Sequence, residues 1–178
     1  FKGGYIEMFL SLGAGAVVGL LAVTKGGNQK LSDIFEFLAA SMVMLICYLY
    51  YFEVERFNYQ IVLISSLIVI IPGLNLTIAM NELATNNLVS GTARLMGTLM
   101  TFFKIAFGIL VASEIGKVFY PPFEIIPANA LPFWSIVPSL IIACMAFTVI
   151  FQAKYKDFIW ILLSGVTTIG TLTLAGQY

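Results

Sequence analysis

Six runs of mostly apolar residues divide this chain of 178 residues, and their length restricts what it can fold into. They cover about residues 6–23, 32–52, 60–84, 91–113, 133–151 and 158–175. A helix needs about 20 apolar residues to cross the roughly 30 Å hydrocarbon core of a lipid bilayer. Within lipid every backbone amide must find a partner inside its own segment or barrel, which favours helices here. The chain therefore reads as all-α, a polytopic transmembrane helical bundle of about six membrane segments, the third of them broken. Composition agrees: 60% of residues are hydrophobic, 10% are charged, and mean hydropathy is +0.99, well outside the range of soluble domains.

The same composition excludes several functions. Net charge is zero, so no basic face points to nucleic acid. Histidine is absent, which removes the commonest general base and metal ligand. Cys47 and Cys144 both lie inside apolar runs and read as small buried hydrophobes rather than a disulfide or metal pair. No nucleophile–base pair, phosphate loop or metal cluster stands out. We expect no catalytic residue, no metal and no cofactor, and hence not an enzyme.

The third run carries the interruption. It climbs from Gln60 to Ile71 and meets Pro72 and Gly73, the two residues least able to continue a helix. Polar residues follow where lipid would penalise them: Asn75, Thr77, Asn81, Glu82, Asn86, Asn87, Ser90 and Arg94. On a helical wheel Asn75, Ala79 and Glu82 share one face, while Thr77, Asn81 and Ala84 fall nearly opposite. A half-helix polar on two faces is expected to be surrounded by protein or a watery cavity. Its N-terminus exposes unpartnered amides and the positive end of the helix dipole, a place for a substrate carboxylate. Broken helices at membrane depth are how many transporters build a binding site.

The fourth run pairs with it. Arg94, Gly97, Thr98, Thr101, Lys104 and Gly108 occupy one arc of the wheel; Leu95, Leu99, Phe103, Ala106 and Leu110 fill the other side. Lys104 stands about 15 Å along the axis from Arg94, near the bilayer centre, where a cation costs on the order of 3 kcal/mol. It is expected to face the bundle interior, against a substrate carboxylate or an internal partner. Glu82 and Arg94 flank the Thr85-Asn86-Asn87 turn. They read either as a structural ion pair or as a proton-coupling or gating pair. Ser90, Gly91, Thr98 and Thr101 would line the cavity.

Other stretches frame these two. Ser11, Gly15 and Gly19 form a small-residue stripe on which another helix is expected to pack. Ser32-Asp33 with Glu36 reads as a helix cap. Tyr48, Tyr50, Tyr51, Phe52, Phe57 and Tyr59 read as a membrane–water belt around the charged turn 53–56. Residues 114–132, with Pro121-Pro122, Pro127 and Pro132, read as a linker; Pro138 is expected to kink the fifth run. The Ser-, Thr- and Gly-rich sixth run should pack inside the bundle. Lys2, Arg56 and Lys117 fall on one side of the membrane; Lys25, Lys30, Arg94, Lys154 and Lys156 fall on the other, which the positive-inside rule places in the cytoplasm. Phe1 in place of Met, and an end straight after an apolar run, read as a piece of a longer chain.

The segment Ile71-Pro72-Gly73-Leu74-Asn75-Leu76-Thr77-Ile78-Ala79-Met80-Asn81-Glu82-Leu83, with Asn87-Leu88-Val89-Ser90-Gly91-Thr92-Ala93-Arg94, resembles the signature of the threonine/serine exporter family. Glu82 stands where Asp would be expected. Gly26-Gly27 and the stretch from Val137-Pro138 to Gly170 are also similar to that family. The resemblance implies the membrane part of a first module at 1–120, a Pro-rich linker at 121–132 and the start of a second module at 133–178. It implies a multi-pass inner-membrane exporter, a secondary transporter or antiporter driven by protons or another coupling ion. Its partners would be the lipid bilayer, a small-molecule substrate, the rest of the chain or a partner subunit, and further copies of itself. On this reading Pro72, Gly73, Asn75, Thr77 and Asn81 bind the substrate, and Glu82, Arg94 and Lys104 couple or gate. The substrate would be threonine or serine. The alternatives are a dicarboxylate such as succinate, a channel lined by the same polar stripe, and a non-transporting scaffold.

Overall fold

Among the described residues, three helices are long and apolar enough to span a membrane: Tyr5–Thr24, Leu31–Glu53 and Leu88–Phe119. They belong to a computed structural model that describes residues 3–25, 29–54, 56–124 and 131–175. Phe1, Lys2, Gly26, Gly27, Asn28, Glu55, residues 125–130 with Pro127, and residues 176–178 lie outside the described residues. In order, the helices are α1 (Tyr5–Thr24), α2 (Gln29–Glu53), α3 (Tyr59–Leu67), α4 (Gly73–Ala84), α5 (Leu88–Phe119), α6 (Ile136–Ile150) and α7 (Phe158–Leu174). No strand occurs among the described residues. The chain divides into two compact units, residues 1–130 and 131–178.

In the first unit α2 and α5 run parallel. Glu36 lies beside Lys104, Ala40 beside Gly108, Tyr48 beside Gly116, and Glu53 beside Tyr120. From Gly91 to Ala112 the residues of α5 at seven-residue spacing are buried (Gly91, Thr98, Ile105, Ala112), the spacing that keeps one stripe of a long helix on its partners. Glycine brings the backbones together. A Cβ on Gly108 would stand 2.5 Å from the Phe37 carbonyl oxygen, and one on Gly116 would stand 2.5 Å from the Tyr48 ring. Against this seam α2 buries Ala39, Ala40, Val43, Met44 and Cys47. The residues assigned to the opposite side of α5, Leu99, Phe103 and Leu110, are exposed.

α1 and α3 also run parallel, tied by one buried carboxylate. Glu7 accepts hydrogen bonds from the Gly4 amide (2.9 Å) and, across the pair, from the Asn58 amide (3.0 Å). Asn58 then caps α3 through its own side chain. Ala14 and Val18 of α1 are buried. Gly15 and Gly19 meet open space instead, so the small-residue stripe read as a packing face is not one within this unit.

Several expected boundaries move. α2 begins at Gln29, so Ser32, Asp33 and Glu36 lie inside the helix and form no cap. α5 runs through Glu114 and Lys117, which pair at i,i+3, and stops at Phe119 ahead of Pro121-Pro122, because proline disfavours helix in the residue before it. The aromatics of the expected belt pack on one another, joined by Tyr120 and Phe123. Ring centroids of Tyr48 and Tyr59 lie 4.2 and 4.3 Å from Phe123, and Tyr48, Tyr51 and Phe57 are buried.

In the second unit α6 packs against α7, with Gly165 under Leu140 and Cys144. Pro138 sits in the first turn of α6, where a missing N–H costs nothing, so it starts the helix rather than kinking it. Thr167 and Thr168 of α7 are exposed and donate to the Ser164 carbonyl of their own helix; within this unit that polar face is not packed inside. Cys47 and Cys144 are both buried free thiols.

Candidate functional site

The site is built where α3 stops and α4 starts. α3 ends at Leu67, four residues turn, and Pro72 stands as the N-cap of α4. Proline excludes its predecessor Ile71 from helical geometry but suits a helix entrance. Gly73 N–H reaches Ile71 O at 2.8 Å and Leu76 N–H reaches Pro72 O at 3.1 Å. The amides of Leu74 and Asn75 are left in the first turn without a backbone partner among the described residues.

From there α4 runs along α5. Ala79 is its one buried residue, and Asn75, Thr77 and Asn81 are exposed. Thr77 donates to Gly73 O at 3.1 Å. Among the described residues, the expectation that protein surrounds this half-helix is not met, because α5 is the one helix packed extensively on α4 and Asn75, Thr77 and Asn81 stay exposed.

α4 closes with a Schellman turn. Asn86 adopts φ 62°, its N–H meets Leu83 O, and Asn87 N–H meets Glu82 O, the left-handed C′ arrangement that asparagine tolerates. This tight turn folds α5 back antiparallel. A Cβ on Gly91 would lie 2.8 Å from Leu83 Cγ, so only glycine permits so close a return.

The turn assembles a polar cluster. Ser90 O–H donates to Glu82 Oε2 at 2.8 Å. The Arg94 guanidinium holds the same carboxylate through Nε (3.3 Å to each oxygen) and Nη2 (3.2 Å). Charge-assisted contacts of this forked kind are geometrically specific. A hollow of about 400 Å3 lies beside it, lined by Glu82, Asn86, Asn87 and Ser90. A larger one of about 510 Å3, between α1 and α2, is lined by apolar and aromatic residues and carries none of this chemistry.

Further along α5 the wheel's arc separates into parts. Thr98 is buried in the helix seam and donates to Arg94 O at 2.9 Å; Thr101 donates to Gly97 O at 3.3 Å. Thr98 therefore serves packing. Lys104 has an internal partner, its Nζ lying 3.4 Å from Glu36 Oε2 of α2. The structure thus joins Glu82, Ser90 and Arg94, holds Gly91 at their turn, and places Pro72-Gly73 about 14 Å along α4 from Glu82.

Glu36 was not anticipated as the partner of Lys104. Its signal was available: it shares a helical stripe with Ala40, Val43 and Cys47, all buried, and a carboxylate on the packing stripe of a span requires a partner. Reading it as a cap hid that.

Residues 1–116 match the family model described as "Putative threonine/serine exporter". The chain belongs to this family. The threonine/serine exporter match spans the whole α1–α4 region and nearly all of α5, including Pro72-Gly73, Glu82, Arg94 and the Glu36–Lys104 pair. Exporter membership and three apolar helices make this a membrane protein of a transporter family, not an enzyme family. No curated protein and no solved structure matches the chain.

Proposed function

We propose that the chain is part of a secondary exporter of small hydroxy amino acids, threonine or serine, driven by an ion gradient across the inner membrane. The observation that carries this reading is the interruption at Pro72, which starts a helix with unpartnered first-turn amides beside exposed polar residues. α3 and α4 together make one broken crossing, and the break falls near its middle. The first-turn amides of α4, with Asn75, Thr77 and Asn81, hold the substrate carboxylate and hydroxyl. Glu82, Ser90 and Arg94 gate the turn end, and Lys104 supports the cavity at mid-depth. The exposed polar faces of α4 would be covered by a partner subunit or further parts of the full-length protein, since polar groups facing lipid are costly.

The test uses the full-length protein in vesicles loaded with labelled threonine, serine or succinate, with and without a pH gradient. Gradient-dependent efflux of threonine or serine, lost in Glu82→Gln at normal abundance, is the expected result. Succinate alone would move the substrate class to dicarboxylates. Non-saturable flux without counterflow would indicate a channel, and no flux at all a scaffold.

A further inference from the structure

The hollow of about 400 Å3 beside Glu82 falls within the roughly 300–1,000 Å3 of small-molecule sites. Its wall holds the Glu82 carboxylate, the side-chain amides of Asn86 and Asn87, the Ser90 hydroxyl and the exposed side chains of Leu88 and Val89. It sits at the α4–α5 turn, at one end of the long apolar helix α5.

The ion pair at its edge is loosely held. Ser90 donates to Glu82 at 2.8 Å, whereas the Arg94 contacts are 3.2 and 3.3 Å, longer than the ~2.7–2.9 Å of tight charge-assisted bonds. Both side chains reach the surface, Glu82 with 20% and Arg94 with 41% of its area exposed. Ion pairs in contact with water gain little from their mutual attraction. The Glu36–Lys104 pair stands differently: small residues pack directly around it, Ala39, Ala40 and Gly108, and it borders neither hollow described above.

We infer that the hollow is an entry subsite for an amino-acid zwitterion, which opens the Glu82–Arg94 pair by inserting between its two charges. This deepens the exporter reading above and rests on it. The ammonium of the substrate takes the Glu82 carboxylate in place of Arg94. Its carboxylate takes the freed guanidinium fork, and its hydroxyl meets the amides of Asn86 and Asn87. One ion pair becomes two, so the site is neutral both empty and loaded, and neither stage leaves a charge without a partner.

The same bookkeeping gives selectivity. A ligand can part the pair only if it binds the parted state better than the closed one. A monoanion satisfies Arg94 and strands Glu82; a monocation does the reverse. A dicarboxylate brings two negative charges beside Glu82. The turn therefore yields to the zwitterion and stays shut when the hollow is empty. Beyond Arg94 the way inward is uncovered, since Gly97 has open space at its Cβ position and Thr101 is half-buried.

The experiment places a thiol in the hollow. The full-length protein carrying Val89→Cys, in nanodiscs at constant pH, is treated with N-ethylmaleimide, and labelling at that position is followed by peptide-resolved mass spectrometry. Threonine should slow the labelling saturably. 3-Hydroxybutyrate, which lacks the ammonium, threoninol, which lacks the carboxylate, and succinate should leave the rate unchanged. Added Glu82→Gln should raise the threonine concentration needed by at least about tenfold and let 3-hydroxybutyrate protect as well as threonine, because only Arg94 then needs a partner. Added Arg94→Gln should do the converse with threoninol. A purely structural ion pair would not exchange its ligand preference in this way. Protection by 3-hydroxybutyrate or threoninol equal to that by threonine before either charge is removed, or threonine protection unchanged by Glu82→Gln, overturns the subsite. So does threonine efflux from vesicles without any protection, and these three results leave the exporter reading in place. Neither protection nor efflux with threonine or serine overturns both.

Discussion

The seam between α2 and α5 can be tested with one chemical change made at two places. Gly97→Ala and Gly108→Ala each add a methyl group to the same helix and gain the same helix propensity, about 1 kcal/mol. At Gly97 the new methyl meets open space. At Gly108 it would stand 2.5 Å from Phe37 O and 3.1 Å from Ala40 Cβ. The first obstacle is backbone, which no rotamer change can move, so the helices must part by roughly 1 Å to restore van der Waals contact. Overpacking of this kind costs about 1–3 kcal/mol. Propensity cancels in the difference between the two variants, leaving that steric cost.

Cys47 supplies the assay, since it is fully buried in the same seam. In a Cys144→Ser background, the rate of Cys47 labelling by a thiol dye during titration with SDS reports how often the seam opens. Gly108→Ala should label about 5- to 150-fold faster than Gly97→Ala at matched SDS. Equal rates would refute the close approach of α2 and α5. Faster labelling in Gly97→Ala would mean that the face of α5 is assigned wrongly.

Two further predictions concern the end of the bundle opposite the α4–α5 turn. Glu7→Gln keeps one acceptor for two amides, so it should cost about 1–3 kcal/mol of stability, read from thermal unfolding in mild detergent; an unchanged midpoint would show that the α1–α3 tie is dispensable. Tyr120 donates to Glu53 Oε1 at 2.8 Å, and this hydrogen bond, then desolvation and the nearby negative charge, raises the phenol above its usual value. The raised group contributes stability that is complete below about pH 10 and lost as pH rises through the folded-state value. Tyr120→Phe should therefore remove one late-titrating phenol from the ultraviolet titration and flatten that alkaline loss.

Much of this architecture was legible in the chain. The lengths of the apolar runs announced helices, Pro72-Gly73 announced the start of α4, and the 94–108 arc placed Arg94 and Lys104 on one stripe of α5. Glu82 and Arg94 could be paired in advance because a short turn between two helices leaves their flanking side chains within reach of each other. The misreadings were also of one kind. Ser32-Asp33-Glu36 has the composition of a cap, but α2 had already begun at Gln29. Gly15 and Gly19 have the spacing of a packing stripe, but α1 turns Ala14 and Val18 inward instead. Local patterns state what a segment can do; neighbours decide whether it does so.

That division has a physical basis. Helix formation here depends on hydrogen bonds within each segment and on burial of backbone in lipid, both properties of a contiguous run of residues. Sequence by itself therefore determined the all-helical class and the start of a helix at Gly73. Which faces meet depends on shape over long sequence separations: a glycine opposite a carbonyl oxygen at Gly108 and Phe37, an asparagine in a left-handed turn that returns Gly91 to Leu83. Only the tertiary structure could bring Glu36 to Lys104 across 68 residues of chain, because a single carboxylate carries no mark of the partner that packing will bring to it.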